Sequence, residues 1–179
     1  MKKLLIATAL TAASVSGFTA EPSFNFVEAG IVKYDDGDSK KVLGNFEFNT
    51  NFYGVASYEI EDDAGDDLTA ISIGAGYKTT IGASTSLYGQ LEYTDYSVDT
   101  DFGDFSEDGY NLSAGIRSMV TNSTELFGEV TNGNIDSYTV TTIGIGARQS
   151  FTDNFGAYVR YDMTDRDDDF YGVGVSLKF

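Results

Sequence analysis

Hydrophobic and polar residues alternate along most of the chain after residue 23. The alternation falls into ten segments, at 24–34, 41–49, 52–61, 68–80, 86–98, 109–120, 125–131, 138–151, 155–164 and 170–179. Side chains two residues apart on a strand share one face, so each segment predicts a β-strand with an apolar and a polar face. In the last segment, Tyr171, Val173, Val175, Leu177 and Phe179 alternate with Gly172, Gly174, Ser176 and Lys178.

Two kinds of break separate these segments, and they take turns along the chain. Short, mildly polar breaks lie at 50–51, 82–85, 121–124 and 152–154; longer breaks rich in Asp and Gly lie at 35–40, 62–67, 99–108, 132–137 and 165–169. Short turns at one end and longer loops at the other are typical of outer-membrane barrels. The pattern predicts an all-β fold, a closed antiparallel up-and-down transmembrane β-barrel of ten strands, with eight as the alternative.

The first twenty residues have the pattern of a secretory signal peptide. Lys2 and Lys3 precede an apolar run at 4–13, and small residues follow. This run is too short to cross a bilayer as a helix, which needs about 20 apolar residues. We expect a signal peptide at 1–20, cleaved after residue 17 or 20, and a barrel domain at 21–179 in the outer membrane.

Aromatic residues on the apolar faces are expected at two heights. Tyr rings lie near the ends of strands that meet the acidic loops, at Tyr58, Tyr93, Tyr110, Tyr161 and Tyr171. Other rings lie near the short turns, at Phe48, Phe52, Tyr77, Phe151, Phe155 and Phe179. Two belts of rings are expected where a barrel meets the two interfaces of a bilayer.

The composition excludes several kinds of catalysis, metal site and partner. The chain has no His and no Cys, which excludes histidine-based catalysis, thiol chemistry and Cys/His metal sites. Asp and Glu number 28 against 11 Lys and Arg, so nucleic acid is a poor partner. We expect neither an enzyme nor a cofactor.

The polar faces carry charges that should point into the barrel. The acidic members are Glu28, Glu47, Glu59, Glu92, Glu129 and Asp162; the basic members are Lys78, Arg117, Arg148, Arg160 and Lys178. Because the two signs nearly balance and a ten-stranded barrel is narrow, we expect them to pair, with Glu92 or Glu129 as the partner of Arg117. The alternative is that they line an ion- or solute-selective pore.

Acidic residues crowd the longer loops. The clusters that could bind a hard cation such as Ca²⁺ are Asp62, Asp63, Asp66 and Asp67, and Asp167, Asp168 and Asp169. None matches the spacing of a twelve-residue calcium loop, so a solvated acidic rim is the simpler interpretation. Such a rim would contact lipopolysaccharide through bridging divalent cations.

Several short motifs carry a family resemblance over the whole mature chain. They are Phe26-Val27-Glu28-Ala29-Gly30, the run from Asn51 to Tyr58, Gly109-Tyr110, Gly115-Ile116-Arg117 and the terminal Phe179. The chain resembles the small porin-like outer-membrane barrels of Gram-negative bacteria, and is most similar to the ten-stranded group described as an activator of plant immunity or quorum factor. The resemblance implies outer-membrane residence, and residues 173–179 resemble the C-terminal signal, ending in Phe179, that the barrel-assembly machinery reads.

Three functions remain open at this point. The main hypothesis is a non-enzymatic structural or surface-interaction barrel with a charge-plugged polar lumen and acidic extracellular loops. The alternative is a narrow passive channel for ions or small solutes. A soluble lipocalin-like binder is the third, and it would be found in the soluble fraction of lysed cells.

Overall fold

The chain forms a closed barrel of ten β-strands, as the alternation predicts. The structure is a computed structural model that describes residues 20–34, 37–63, 66–100, 103–135, 138–166 and 168–179. Within these residues the strands are β1 (Phe26–Lys33), β2 (Asp38–Glu47), β3 (Phe52–Asp63), β4 (Asp66–Ile81), β5 (Thr85–Thr100), β6 (Gly103–Met119), β7 (Thr124–Ile135), β8 (Tyr138–Ser150), β9 (Phe155–Thr164) and β10 (Phe170–Lys178). The ten-stranded prediction is therefore confirmed over the eight-stranded alternative.

Every strand pairs antiparallel with its neighbour in sequence, and β1 pairs with β10 to close the sheet. This last pairing runs from Phe26 opposite Lys178 to Lys33 opposite Tyr171. Closure leaves no strand edge without a partner, which a sheet in lipid requires. We call the end with the four short turns and both barrel termini the turn end, and the opposite end the loop end. In the short turn between β4 and β5, Gly82 has a φ of 73°, a conformation that favours glycine.

The two faces of the sheet are the ones that the alternation predicts. Large apolar side chains on the outer face are exposed, as at Ile73, Leu112 and Val175, whereas Ser72, Ser113 and Ser176 on the same strands are buried inside. The aromatic rings assigned to the two belts, such as Tyr110 and Phe179, are also exposed on the outside. No helix among the described residues is long and apolar enough to cross a bilayer.

Strand pairing extends further toward the loop end than predicted. Residues 62–67, 99–108 and 132–137 are expected to be loops, yet β3 and β4 pair up to Asp63 opposite Asp66, and β5 and β6 up to Thr100 opposite Gly103. Strand β7 likewise continues to Ile135. Backbone hydrogen bonds between neighbouring strands form without a buried face, so the hairpins continue after the apolar alternation has ended.

The N-terminal segment, residues 20–25, differs from the prediction that the first strand begins at residue 24. Strand β1 begins at Phe26. Pro22 and Phe24 are fully buried, and Phe24 packs against Tyr53 and Val55 of the barrel interior. The segment therefore enters the lumen at the turn end instead of extending the sheet. Residues 1–19, the rest of the expected signal peptide, lie outside the described residues.

Candidate functional site: the barrel lumen

Aromatic side chains contact glycines on the inner wall of the barrel. Four inward-facing rings stand directly across from a glycine on the next strand: Tyr53 opposite Gly76, Tyr88 opposite Gly115, Phe127 opposite Gly146 and Tyr158 opposite Gly174. A Cβ at any of these glycines would collide with its ring. The recurrence of glycine on the polar face, visible in the sequence, thus makes room for rings inside a narrow barrel.

Near the turn end, cationic and aromatic groups alternate in a stack across the lumen. The Lys78 Nζ and the Arg117 Cζ lie 4.9 and 4.2 Å from the centre of the Phe24 ring. Arg117 also lies 5.0 Å from Phe26. Arg148 lies 4.5 Å from Phe26 and 4.8 Å from Phe127. We call these six side chains the cation–aromatic stack; each cation within it faces a ring at cation–π distance.

Two buried carboxylates hold the arginines of this stack. Glu125 accepts hydrogen bonds from the Arg117 Nε at 2.7 Å and Nη2 at 3.0 Å. It also accepts one from the Arg148 Nη1 at 2.5 Å. Glu28 pairs with the other edge of the Arg148 guanidinium through Nε and Nη2. We call Glu28, Arg117, Glu125 and Arg148 the ion-pair layer; it fills the lumen near the turn end.

Hydrogen bonds join the N-terminal segment to residues of the cation–aromatic stack and of the ion-pair layer. The backbone N–H of Phe24 donates to Glu47 Oε1 at 2.9 Å, and the same oxygen accepts from the Lys78 Nζ at 2.7 Å. The Arg117 Nη2 donates to the carbonyl of Ser23 at 2.7 Å. Polar contacts and the buried Phe24 ring together hold the segment in the turn end of the lumen.

Two further charged clusters lie toward the loop end. Arg160 donates to Asp162 at 2.6 Å and to Glu129 at 3.0 Å, and Tyr88 Oη donates to Glu129 at 2.7 Å. On the facing wall, Lys41 forms an ion pair with Glu59 at 2.9 Å.

Glu59 has two further donors besides Lys41. The Tyr34 Oη donates to it at 2.8 Å and the Ser39 Oγ at 2.5 Å. Tyr34 lies between β1 and β2, outside the strands. Burial, together with the charge of Glu59, raises the pKa of the Tyr34 phenol above its usual range.

A cavity of about 320 Å³ lies between the cation–aromatic stack and the loop end. Phe24, Phe26 and Phe127 line it near the turn end, and Tyr34, Tyr96 and Phe170 line it near the loop end. Its wall carries charged and amide side chains, including Glu92, Asn111 and Arg160. A space of this size lined by polar groups can hold water, ions or a small solute.

The structure places the eleven predicted lumen charges as follows. Nine of them form ion pairs: Glu28, Glu47, Glu59, Lys78, Arg117, Glu129, Arg148, Arg160 and Asp162. Among the described residues Glu92 and Lys178 have no ion-pair partner, and Lys178 donates to the Ser150 Oγ at 2.9 Å.

The prediction of the ion-pair partner of Arg117 was wrong. Arg117 pairs with Glu125, across the β6–β7 hairpin, and not with Glu92 or Glu129. Glu125 and Lys41 are absent from the predicted set, although each shares the inward face of its strand with a predicted member, Glu129 and Glu47. That period of two was the signal that could have found them.

The predicted acidic rim lies at the loop end, and its capacity to bind a metal stays a prediction. Asp168 and Asp169 are exposed, and Asp169 accepts a hydrogen bond from Tyr161 at 2.6 Å. The side chains of Asp62, Asp63, Asp66, Asp67 and Asp167 lie outside the described part of the structure. Among the side chains that are described, no three acidic groups converge on one point.

Comparison with known proteins gives the fold class. No protein-family model matches the chain, and no curated protein is similar to it in sequence. Among solved structures, the KdgM porin superposes with a TM-score of 0.54 at 14% identity, over 86% of this chain and 99% of that one. The NanC porin gives 0.53 at 10% identity over the same shares. A KdgM porin in complex with disordered oligogalacturonate gives 0.53 at 15%.

At such low identity the likeness concerns the fold. The chain has the fold of the outer-membrane porins, a closed antiparallel up-and-down barrel. The more specific resemblance to the activator-of-immunity or quorum-factor group is not confirmed by these structures and stays a prediction.

Proposed function

We propose that this protein is a non-enzymatic outer-membrane channel, a narrow passive porin-like pore for ions or small solutes. The observation that carries the proposal is the cavity with charged side chains in its wall, inside a barrel with the fold of porins. Side chains alone can fill the interior of an eight-stranded barrel, whereas this ten-stranded barrel retains an open cavity that a purely structural lumen would not require. The channel, the alternative hypothesis from the sequence, thus has more support than the purely structural role.

The surface or structural role remains the second candidate, because one observation favours it. The ion-pair layer and the Phe24 ring fill the lumen at the turn end. Conduction through the whole barrel therefore requires the N-terminal segment to leave its place or to leave water-filled space beside it.

Membrane residence and partners belong to the same proposal. The exposed apolar wall faces outer-membrane lipid, with the turn end toward the periplasm and the signal peptide removed on export. The acidic rim contacts lipopolysaccharide through divalent cations. The exposed ring of Phe179 lies at the turn end, where the barrel-assembly machinery would read it.

The deciding experiment is single-channel recording of the purified, refolded protein in planar bilayers. Steady openings at a reproducible conductance support the channel. Silence of correctly folded protein over many insertions contradicts it and favours the surface role. Refolded protein is verified beforehand by its β-rich circular dichroism spectrum, so that silence cannot result from misfolding.

A further inference from the structure

Glu92 differs from the other carboxylates of the lumen. Six of them each pair with a Lys or Arg nitrogen at 3.0 Å or less: Glu28, Glu47, Glu59, Glu125, Glu129 and Asp162. Glu92 has no such partner among the described residues, although it is only 8% exposed and lines the cavity. One buried negative charge in the lumen is thus left without a fixed positive charge.

A chain of hydrogen bonds fixes the orientation of this carboxylate. Tyr53 Oη donates to the Gln90 side-chain oxygen at 2.8 Å, which turns the Gln90 amide nitrogen toward Glu92. That nitrogen donates to Glu92 Oε1 at 2.8 Å. Among the described residues no group donates to the second oxygen, Oε2, which is left for a ligand in the cavity.

The two strands beside Glu92 leave space around its carboxylate. Gly74 stands directly across on β4, where a Cβ would lie 2.8 Å from the Glu92 Cγ. On the other side, Asn111 is the cross-strand partner of Glu92, and its amide nitrogen donates to Thr94. The Asn111 side-chain oxygen lies toward Gly133 of β7, on the side away from Glu92. The oxygen left for a ligand is therefore that of the Glu92 carboxylate itself, and hard cations favour carboxylate oxygens.

The nearby cations of the protein are already paired. Lys41 is bound to Glu59, and Arg160 is bound to Glu129 and Asp162. An ionised carboxylate away from bulk water is costly unless a positive charge compensates it. From these observations we infer that Glu92 is a binding position for a small cation in the lumen, either an inorganic monovalent ion or the primary ammonium group of a solute. The inference rests on the proposed channel function and adds its solute class.

The first test measures ion selectivity. The reversal potential of single channels in a KCl gradient is compared for the wild type and Glu92→Gln, which removes the charge and keeps the shape. The wild type should prefer K⁺ over Cl⁻. The variant should lower that preference by about twofold or more, because a fixed charge at a narrow site sets the local ion concentration. Asp153→Asn, an exposed change in a turn, should leave it unchanged. Equal selectivity in the wild type and Glu92→Gln would overturn the inference.

The second test does not depend on conduction. The denaturant midpoint of the barrel in lipid vesicles is measured in chlorides of potassium, methylammonium and the bulky N-methylglucamine at equal ionic strength. A bound cation stabilises the folded state by mass action. The wild-type midpoint should be higher in the small cations than in N-methylglucamine, whereas Glu92→Gln, or Glu92→Ala if the first variant does not fold, should lose this difference.

The outcomes separate the two proposals. If the denaturant midpoint is higher than in N-methylglucamine with methylammonium alone, the ligand is an ammonium group. If potassium raises the midpoint as well, the ligand is a small cation in general. The same dependence on cation size in wild type and variant rejects the site. If all channels are silent but the midpoint difference exists and disappears in the variant, the channel proposal fails while the cation site stands.

Discussion

Arg117 shows how single residues organise the lumen. Its guanidinium donates in its plane to Glu125 and to the carbonyl of Ser23, while its faces lie over the rings of Phe24 and Phe26. A planar guanidinium offers several in-plane donors and two faces, so one side chain can make all of these contacts at once. Arg117 therefore joins the N-terminal segment, β6 and β7 through one side chain.

Replacing Arg117 with alanine should destabilise the barrel. The change leaves Glu125 with one partner, Arg148, so the loss should lie near the lower end of the about 3–5 kcal/mol typical for breaking a buried pair. The denaturant midpoint in lipid vesicles measures it, with the exposed Arg166→Ala as a control that should change little. Arg117→Ala with Glu125→Gln should recover part of the loss. An unchanged midpoint with altered ion selectivity would instead place Arg117 on an open path.

Gly76 tests the pairing of rings with glycines. The three atoms nearest to a Cβ at this position all belong to the Tyr53 side chain, and all lie closer than van der Waals contact. Gly76→Ala should therefore cost about 1–3 kcal/mol, the usual range for overpacking, in the free energy of unfolding. In a Tyr53→Ala background the same change should cost almost nothing. Gly89→Ala is the matched control, since its nearest contact, the Ser113 carbonyl, lies at an ordinary 3.6 Å. Equal costs at Gly76 and Gly89 would contradict the account.

At the scale of the strands, the period of two decides which substitutions are tolerated. Val175 lies on the outer face of β10, between the belt rings Tyr171 and Phe179, and is 43% exposed. Val175→Arg should cost about 2–4 kcal/mol, as arginine does near the bilayer midplane. Ser113→Arg on the inner face of β6 should be milder because it faces the polar lumen. Refolding midpoints in vesicles measure both costs, and equal costs would contradict the assignment of the two faces.

The N-terminal segment is the element that closes the turn end. Phe24→Ala, or removal of residues 21–25, should increase the single-channel conductance, because the buried ring of Phe24 occupies the lumen. Phe151→Ala removes an exposed ring at the same end, on the outside, and should leave the conductance as it is. Identical conductance in the wild type and Phe24→Ala would show that ions do not pass this segment.

At the scale of the whole molecule, closure of the sheet has a consequence that can be measured. Since every strand has two hydrogen-bonded neighbours, the barrel has no edge at which unfolding can begin easily. The protein should fractionate with the outer membrane and migrate differently on detergent gels before and after heating. Recovery in the soluble periplasmic fraction would refute the membrane assignment and favour a lipocalin-like binder.

The sequence by itself determined the architecture. An exposed apolar outer face and a polar inner face impose a period of two on every strand. This local pattern predicted the number of strands, the inward charges and the end at which the short turns lie. Glu125 and Lys41 follow the same period, so their inward position could have been predicted from the sequence. The extra length of β5, β6 and β7 could not have been predicted, because strand pairing beyond the apolar stretch leaves no hydrophobic pattern in the sequence.

Only the tertiary structure decided which groups meet inside the barrel. The partner of Arg117, the solitary position of Glu92 and the alternation of cations with rings all depend on the stagger between strands, which alternation within one strand does not encode. The entry of Phe24 into the lumen depends on a pocket formed by Tyr53, Tyr88 and Arg117, which lie far apart in sequence. Such contacts exist only after the sheet has closed, so their energies cannot be read from the pattern of the chain.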